Sequence, residues 1–329
     1  MPCCAEQICI GGVVTRRILV TGASGFVAQS LFSARDARNE FFASSRRVLN
    51  LEGVQWRQSP TLSGSADWKG VLEGIDVVVH LAARVHLASR GDSAAFFDEN
   101  RDGTVKLAED ARKTGVRQFI FLSTSKVLGD ESSEGPLAES APRLPRDAYA
   151  ASKLAAEQAL TRLGGGMRVS VLRPPLVYGP GVKANFLALV GAVSRGVPLP
   201  LGSIQNRRSL IYVDNLASAI MACVESPVAA GRIYNVADDP SVSTPHLVRT
   251  IADALGKAPR LVPFPPAMLE ACGALVGRRE TIRRLTRSFE VDSSAIRTEL
   301  GWRPICAFET GIERTVRWYE NASVEVPYR

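Results

Sequence analysis

Ile18-Leu19-Val20-Thr21-Gly22-Ala23-Ser24-Gly25-Phe26-Val27-Ala28 joins a short apolar strand, a glycine-containing turn and the start of a helical run. Glycines permit the tight turn and let backbone N–H groups approach a pyrophosphate at the N-terminus of the following helix. Ala28 stands where a third glycine is usual, and it is small enough for close packing of helix on strand. A glycine turn alone is common. Placed after the first strand of a strand–helix–strand unit, it becomes a signal for dinucleotide binding.

Outward from this stretch the chain alternates. Apolar runs at Phe41–Ala43, Asp76–Ala82, Gln118–Leu122 and Arg168–Leu172 read as strands, and Phe26–Arg35 and Asp98–Thr114 carry helical periodicity. Runs apolar on both faces, separated by helices, predict a parallel sheet covered on both sides. The expected fold is α/β, a doubly wound parallel sheet with a smaller C-terminal α/β substrate domain. Around Arg173-Pro174-Pro175 prolines become frequent and elements shorten. The expected organisation is a disordered leader over 1–15, a dinucleotide-binding domain over 16–175 and a substrate-binding domain over 176–329. Leu210–Val213 and Ile233–Val236 are expected to return to the main sheet.

The 329 residues are 46% hydrophobic and 22% charged, the balance of an ordinary globular protein. No apolar run reaches the roughly 18 residues of a membrane span. Six cysteines (Cys3, Cys4, Cys9, Cys223, Cys272, Cys306) form no CxxC pair, and His80, His86 and His246 are not at metal-ligand spacing. No metal site is expected, and the cytoplasm is the default compartment. The net charge of +7 owes much to Arg278, Arg279, Arg283, Arg284 and Arg287. These read as a solvated helix face or as partners for an anionic diphosphate. Without an aromatic-interleaved basic groove, no nucleic-acid partner is expected.

The end of the second strand bears on which dinucleotide binds. An NAD site places an acidic residue there, about 20 residues beyond the glycines; this chain has Ser44-Ser45-Arg46-Arg47. Arg46 could give charge-assisted hydrogen bonds to a 2′-phosphate, so NADP(H) is the expected cofactor, with NAD the alternative. The bland reading leaves Arg46 and Arg47 on a solvated loop. Tyr149 and Lys153, four residues apart, share one face of a helix. A lysine ammonium near a phenol favours the phenolate, which would let Tyr149 exchange a proton below its ordinary pKa of about 10.

Further motifs occur in order: His80-Leu81-Ala82-Ala83, Asn100-x-x-Gly103-Thr104, Tyr149-x-x-x-Lys153, Arg173-Pro174, Val177-Tyr178-Gly179-Pro180, Arg208-x-x-Ile211-Tyr212-Val213-Asp214 and Leu300-Gly301-Trp302-x-Pro304. With the glycine turn they resemble the extended short-chain dehydrogenase/reductases of the nucleotide-sugar epimerase/dehydratase group, over about residues 16–319. The resemblance implies Tyr149 as general acid/base, Lys153 also binding the nicotinamide ribose, and Thr124 holding the reacting oxygen. It implies cofactor contacts from Gly22, Ser24, Gly25, Phe26, Val27, Arg46, Leu81, Ala82, Ala83, Asn100, Ser123 and Pro174. His80 at this position reads as a satisfied core residue. Substrate contacts are expected from Ser125, Asn185, Arg208 and one of Arg283 or Arg284, with Arg283 taken first. Arg208 has a reason of its own, since a planar guanidinium can grip phosphate oxygens in a bidentate fashion. A homodimer through the helices near Asp98–Thr114 and Tyr149–Leu163 is implied as well.

Departures narrow the chemistry. The 4,6-dehydratases of the group carry an Asp-Glu pair after the threonine, where this chain has Ser125-Lys126. Leu128 replaces the aromatic residue usual before Gly129. These features look like the bacterial surface-polysaccharide branch of 4-keto reductases and 4-epimerases. The expected function is NADPH-dependent reduction of a UDP-4-keto-6-deoxy-N-acetylhexosamine. The alternative is an NAD-dependent 4-epimerase of UDP-glucose or UDP-N-acetylglucosamine. A non-catalytic NAD(P)-binding sensor is disfavoured by the presence of Tyr149, Lys153 and Thr124.

Overall fold

The computed structural model describes residues 15–35, 38–85 and 93–325. The leader (but for Thr15) and His86 lie outside them. Among the described residues nine strands form: β1 (Arg16–Thr21), β2 (Asn39–Ser45), β3 (Val54–Gln58), β4 (Val77–His80), β5 (Gln118–Leu122), β6 (Arg168–Arg173), β7 (Leu176–Tyr178), β8 (Leu210–Tyr212) and β9 (Ile233–Asn235). Seven make one sheet in the order β3-β2-β1-β4-β5-β6-β9. The ladders from β3 through β6 are parallel, with Thr21 opposite both Ser44 and His80. The doubly wound fold is therefore the observed one.

Two compact units divide the chain. The first holds the described residues up to Ser123 together with Asp147–Leu172 and Ile220–Ile233; the second holds Thr124–Arg146, Arg173–Ala219 and the described residues from Tyr234 onward. In the first unit, Leu19, Phe42, Val78, Phe119, Phe121 and Val171 from the strands meet Leu107, Ala108, Ala111, Ala156 and Leu160 from the helices Thr104–Lys113 and Ala148–Arg162. Burying each large side chain stabilises by about 1.5–3 kcal/mol. Asp147 starts the helix Ala148–Arg162 by accepting from the Ala150 N–H at 2.8 Å, an N-cap that satisfies an otherwise orphaned donor. The expected continuous helix over Asp98–Thr114 is instead a π-helical segment, Phe97–Gly103, running into Thr104–Lys113. Such widened turns recur at functional positions.

The second unit corrects one expectation. Leu210–Tyr212 does not rejoin the main sheet; it pairs with β7, with Tyr178 opposite Tyr212. The reason is local. Tyr212 N–H donates to the Asp238 carboxylate at 2.8 Å, and the chain turns at once into the helix Val213–Glu225. Asp238 also accepts from Asn215 Nδ2 at 2.8 Å and from the Tyr178 hydroxyl at 3.3 Å. Asn215 in turn holds the backbone of Ile305 and Cys306. Ile233–Asn235 does join the main sheet as its last strand.

Leu107 is fully buried at the centre of the first unit's core. Leu107→Ala should destabilise the protein by about 2–5 kcal/mol, read as a lower denaturant midpoint with an unchanged slope in urea titration.

Candidate active site

β1 and β4 are neighbours although β2 and β3 intervene in the chain, so the strand order reverses between them. In open α/β sheets ligands bind outside the carboxyl ends of the strands at such a switch point. Here the Gly22 turn follows β1 and Leu81-Ala82-Ala83 follows β4. Gly22 has φ +68°, and a Cβ on it would lie 2.7 Å from the Ala82 nitrogen and 2.8 Å from its Cα. No side chain fits there, and the backbone geometry itself favours glycine. The Gly25 N–H donates to the Gly22 carbonyl at 2.9 Å, closing the turn, and Ser24 and Gly25 are exposed at the start of the helix Phe26–Ser33. Exposed turn amides at a helix N-terminus, walled by bare backbone, fit a pyrophosphate.

Below this crevice an imidazole is bonded at both ring nitrogens. His80 is fully buried, its Nδ1 2.7 Å from Thr21 Oγ1 and its Nε2 2.9 Å from Thr104 Oγ1. Burial first, and Lys153 second, push its pKa down to about 3. It is a neutral strut between elements rather than a proton carrier. Asn100 sits in the π-helical segment and is buried. Its Nδ2 donates to the Arg84 carbonyl and to Ser152 Oγ, both at 3.0 Å, and its Oδ1 accepts from the Arg84 N–H at 2.8 Å. The side chain expected to touch cofactor thus ties the loop after β4 to the helix carrying Tyr149.

β2 ends without a carboxylate. Ser45 is buried, takes the Trp56 Nε1 hydrogen bond at 3.0 Å and donates to the Arg47 carbonyl. Arg46 and Arg47 are exposed just beyond. Ser44, opposite Thr21 in the ladder, is fully buried, and its Oγ has no partner among the described residues. Buried hydroxyls are normally paired, and Ser44 departs from that at this strand end. A separate cleft is lined by Arg17, Arg57, Gly70, Val71, Glu73 and Gly74 among others. It is a covered sheet face: Arg57 lies over Phe42 and donates to the Val71 and Glu73 carbonyls.

Tyr149 and Lys153 lie on the helix Ala148–Arg162 as their spacing predicts. Their electrostatics differ from the expectation. Burial first, and then the Asp147 carboxylate, push the Tyr149 phenol up to about 12. Its ring stands edge-on to Phe96 at 6.3 Å. Lys153 is buried, with Nζ 4.1 Å from the Phe121 ring centroid. Burial lowers its pKa to about 7, against the opposing pull of Glu157. Glu157 is itself buried one turn further along and accepts a very short hydrogen bond from Ser123 Oγ. Ser123, expected at the cofactor, is therefore engaged within this network. Glu157 was missed in the sequence, although its signal was there: Tyr149, Lys153 and Glu157 repeat every four residues.

In the second unit, Thr124 is buried and accepts from the Lys126 N–H at 3.3 Å. Ser125 N–H donates to the Pro174 carbonyl at 2.9 Å. Ser125 is fully buried with no partner for its Oγ among the described residues. Asn185 is exposed in the first turn of the helix Ala184–Ser194. Arg208 donates through Nη1 to the Arg287 carbonyl at 3.0 Å. Burial first, and then the Arg284 charge, lower its pKa to about 10. Arg283 instead meets both carboxylate oxygens of Glu131 at 3.1 Å. The second guanidinium acting on Arg208 is thus Arg284, and Arg283 is occupied elsewhere. Paired guanidiniums that raise one another's cost of charging favour an anion between them.

The profile of the NAD dependent epimerase/dehydratase family matches residues 18–237. The chain belongs to this family. It is 36% identical over 317 residues to a UDP-glucose 4-epimerase of Vibrio cholerae, covering 94% of this chain and 97% of that protein. It is 24% identical to the N-acetyl-α-D-glucosaminyl-diphospho-ditrans,octacis-undecaprenol 4-epimerase of Escherichia coli O157:H7, over 92% and 94% of the two chains. Among solved structures, the Thermus thermophilus UDP-glucose 4-epimerase in complex with NAD superimposes with a TM-score of 0.74 at 27% identity, over 93% and 99% of the two chains. The family is NAD(P)-binding, and the glycine crevice is where such a dinucleotide fits.

Two measurements test this site. Gly22→Ala should abolish dinucleotide binding in a fluorescence titration and lower Tm, since the Cβ must displace the Ala82 backbone. Glu157→Gln removes the group that raises the Lys153 pKa, so Lys153 should lose its proton at a lower pH than about 7. Because activity is expected to need the charged lysine, the alkaline fall of the pH–rate profile should move to lower pH. An unmoved profile would show that Glu157 acts only as packing.

Proposed function

We propose that this protein is a 4-epimerase of a UDP-hexose. The observation that supports the chemistry is the pairing of what is present with what is missing. Half-buried Tyr149 and buried Lys153 share one helix face, while Thr124 is followed by Ser125-Lys126 and no carboxylate. One proton-exchanging group is available and an Asp-Glu pair for C5 and C6 is not, which leaves redox chemistry at a single carbon. The nearly full-length similarity to a UDP-glucose 4-epimerase supports C4 and the epimerase direction.

Bound in the crevice at Gly22, the nicotinamide dinucleotide supplies hydride exchange with C4. The chain's own groups do the rest. Tyr149 takes the proton from the C4 hydroxyl and later returns it, while Thr124 holds that oxygen by a hydrogen bond. Lys153 sits near the midpoint of its titration at neutral pH, so its charge is available to oppose the developing phenolate. Arg208, Arg284, Asn185 and Ser125 bind the UDP portion, the guanidiniums through its diphosphate. A homodimer through the helices Thr104–Lys113 and Ala148–Arg162 belongs to the same reading.

One observation favours a second reading. A reductase consumes NADPH at each turnover, and the carboxylate-free end of β2, with Arg46 and Arg47 exposed beyond it, suits a 2′-phosphate. In that reading Tyr149 only donates, to the alkoxide formed on a UDP-4-keto-6-deoxy-N-acetylhexosamine.

Denaturing the purified protein and identifying the released nucleotide separates the two. About one NAD⁺ per chain, with interconversion of UDP-glucose or UDP-N-acetylglucosamine and their C4 epimers, is the expected result. A site that binds NADPH far more tightly than NADH and reduces only the 4-keto sugar would establish the second reading. Tyr149→Phe should lower turnover by about 10²–10⁴-fold. Full activity in that variant would remove Tyr149 from the mechanism under either reading.

A further inference from the structure

The second unit contains a helical hairpin that the proposed chemistry uses only in part. Helix Pro266–Leu275 passes through Val276-Gly277-Arg278 into helix Arg279–Thr286. Gly277, at φ +68°, makes the turn, and the Arg278 N–H returns to the Gly273 carbonyl at 2.7 Å. The two helices are in close contact, since a Cβ on Gly273 would stand 2.6 Å from Ile282 Cγ1. Leu269 and Gly273 are the buried residues of the first helix.

The opposite face of that helix is apolar and uncovered. Met268, Ala271, Cys272 and Leu275 recur at i, i+3, i+4 and i+7, the spacing of a single helical stripe, and all four are exposed. Leu275 is 88% exposed, Val276 70% and Met268 55%. Side chains of this size at the tip of a hairpin are unusual on a protein that meets only water.

Charge completes the pattern. Residues 266–287 hold five arginines and two glutamates. Both glutamates lie close to arginines: Glu270 binds Arg287 at 2.8 Å, and Glu280 lies 3.8 Å from Arg283. Arg278 and Arg279 directly follow the apolar tip, are exposed and make no ion pair among the described residues. An apolar stripe ending in unpaired basic residues is the pattern of a helix that lies in a membrane interface. No helix among the described residues is long and apolar enough to cross a membrane. A second copy of the chain is a poorer occupant, because a two-fold contact through this patch would set the Arg278–Arg279 pairs against each other.

We propose that the tip of this hairpin, Leu275-Val276 with Arg278-Arg279, docks the protein on an anionic phospholipid bilayer. Leu275, Val276 and Met268 enter the acyl boundary while the two arginines meet headgroup phosphates. The proposal is independent of which sugar reaction the active site performs.

Co-sedimentation of the full chain with vesicles tests it. Wild type should bind vesicles of phosphatidylcholine containing phosphatidylglycerol, and bind weakly to phosphatidylcholine alone or at high salt. Arg278→Gln with Arg279→Gln should weaken binding about 30-fold, roughly fivefold for each lost charge. Leu275→Ser with Val276→Ser should weaken it at least about tenfold at low salt, where electrostatics are intact. Circular dichroism and sedimentation velocity on the same samples should show fold and oligomeric state unchanged. The proposal is overturned if wild type fails to bind the anionic vesicles, an arm that needs no variant. It is also overturned if both double variants bind like wild type, or if they change the oligomeric state and leave vesicle binding alone.

Discussion

The backbone of Gly22 presses against that of Leu81 and Ala82, and the architecture around the site follows from this contact. It joins the turn after β1 to the segment after β4 at the place where the strand order reverses. Any Cβ at position 22 would force these segments apart, and with them the turn whose amides face the helix N-terminus. Beneath it Thr21, His80 and Thr104 are buried and satisfy one another through the imidazole. An imidazole so enclosed stays neutral, because charging it would cost more than its two hydrogen bonds return.

Burying a lysine is the costlier choice. Moving the Lys153 pKa from 10.5 to about 7 corresponds to roughly 5 kcal/mol of disfavoured charging. The chain tolerates it because Glu157 lies one helical turn away and is itself steadied by Ser123. The Phe121 ring face adds an attraction for the ammonium. Residues held against such a cost cluster at functional sites. Tyr149 carries the opposite penalty, its phenol raised by burial and by the Asp147 that caps its own helix. The helix therefore starts with the carboxylate that makes Tyr149 a weak acid and continues to the lysine that could offset it.

Patterned features were legible in the sequence, and unpatterned ones were not. Val77-Val78-Val79-His80, apolar on both faces, announces a central strand. Val54-Gln55-Trp56-Arg57-Gln58 was invisible because an edge strand needs only one ladder partner and can be mostly polar. Leu210–Tyr212 looked like a main-sheet strand because periodicity over three residues cannot say which sheet it joins. Asp238 decides that, by capturing the Tyr212 N–H from 26 residues away. Tyr149, Lys153, Thr124 and the glycine turn were readable as motifs. Glu157, Ser44 and the choice of Arg284 over Arg283 depend on three-dimensional neighbours that spacing alone does not rank.

Asp238 shows how the second unit solves a similar problem. Burial lifts its pKa from 3.8 to about 6, so keeping it ionised at neutral pH costs roughly 3 kcal/mol. Its hydrogen bonds from Tyr212 N–H, Asn215 Nδ2 and the Tyr178 hydroxyl pull the other way. The folded state binds this proton more readily than the unfolded chain, so the carboxyl's contribution to stability falls as pH rises from about 4 to 6 and is flat above. At neutral pH it is a net burden on its own account. What sets against that burden is organisation: one carboxylate fixes β8, the start of the helix Val213–Glu225 and, through Asn215, the loop at Cys306. Arg208 lies just before β8, so the guanidinium expected to meet the substrate diphosphate is carried on a strand anchored by a buried charge.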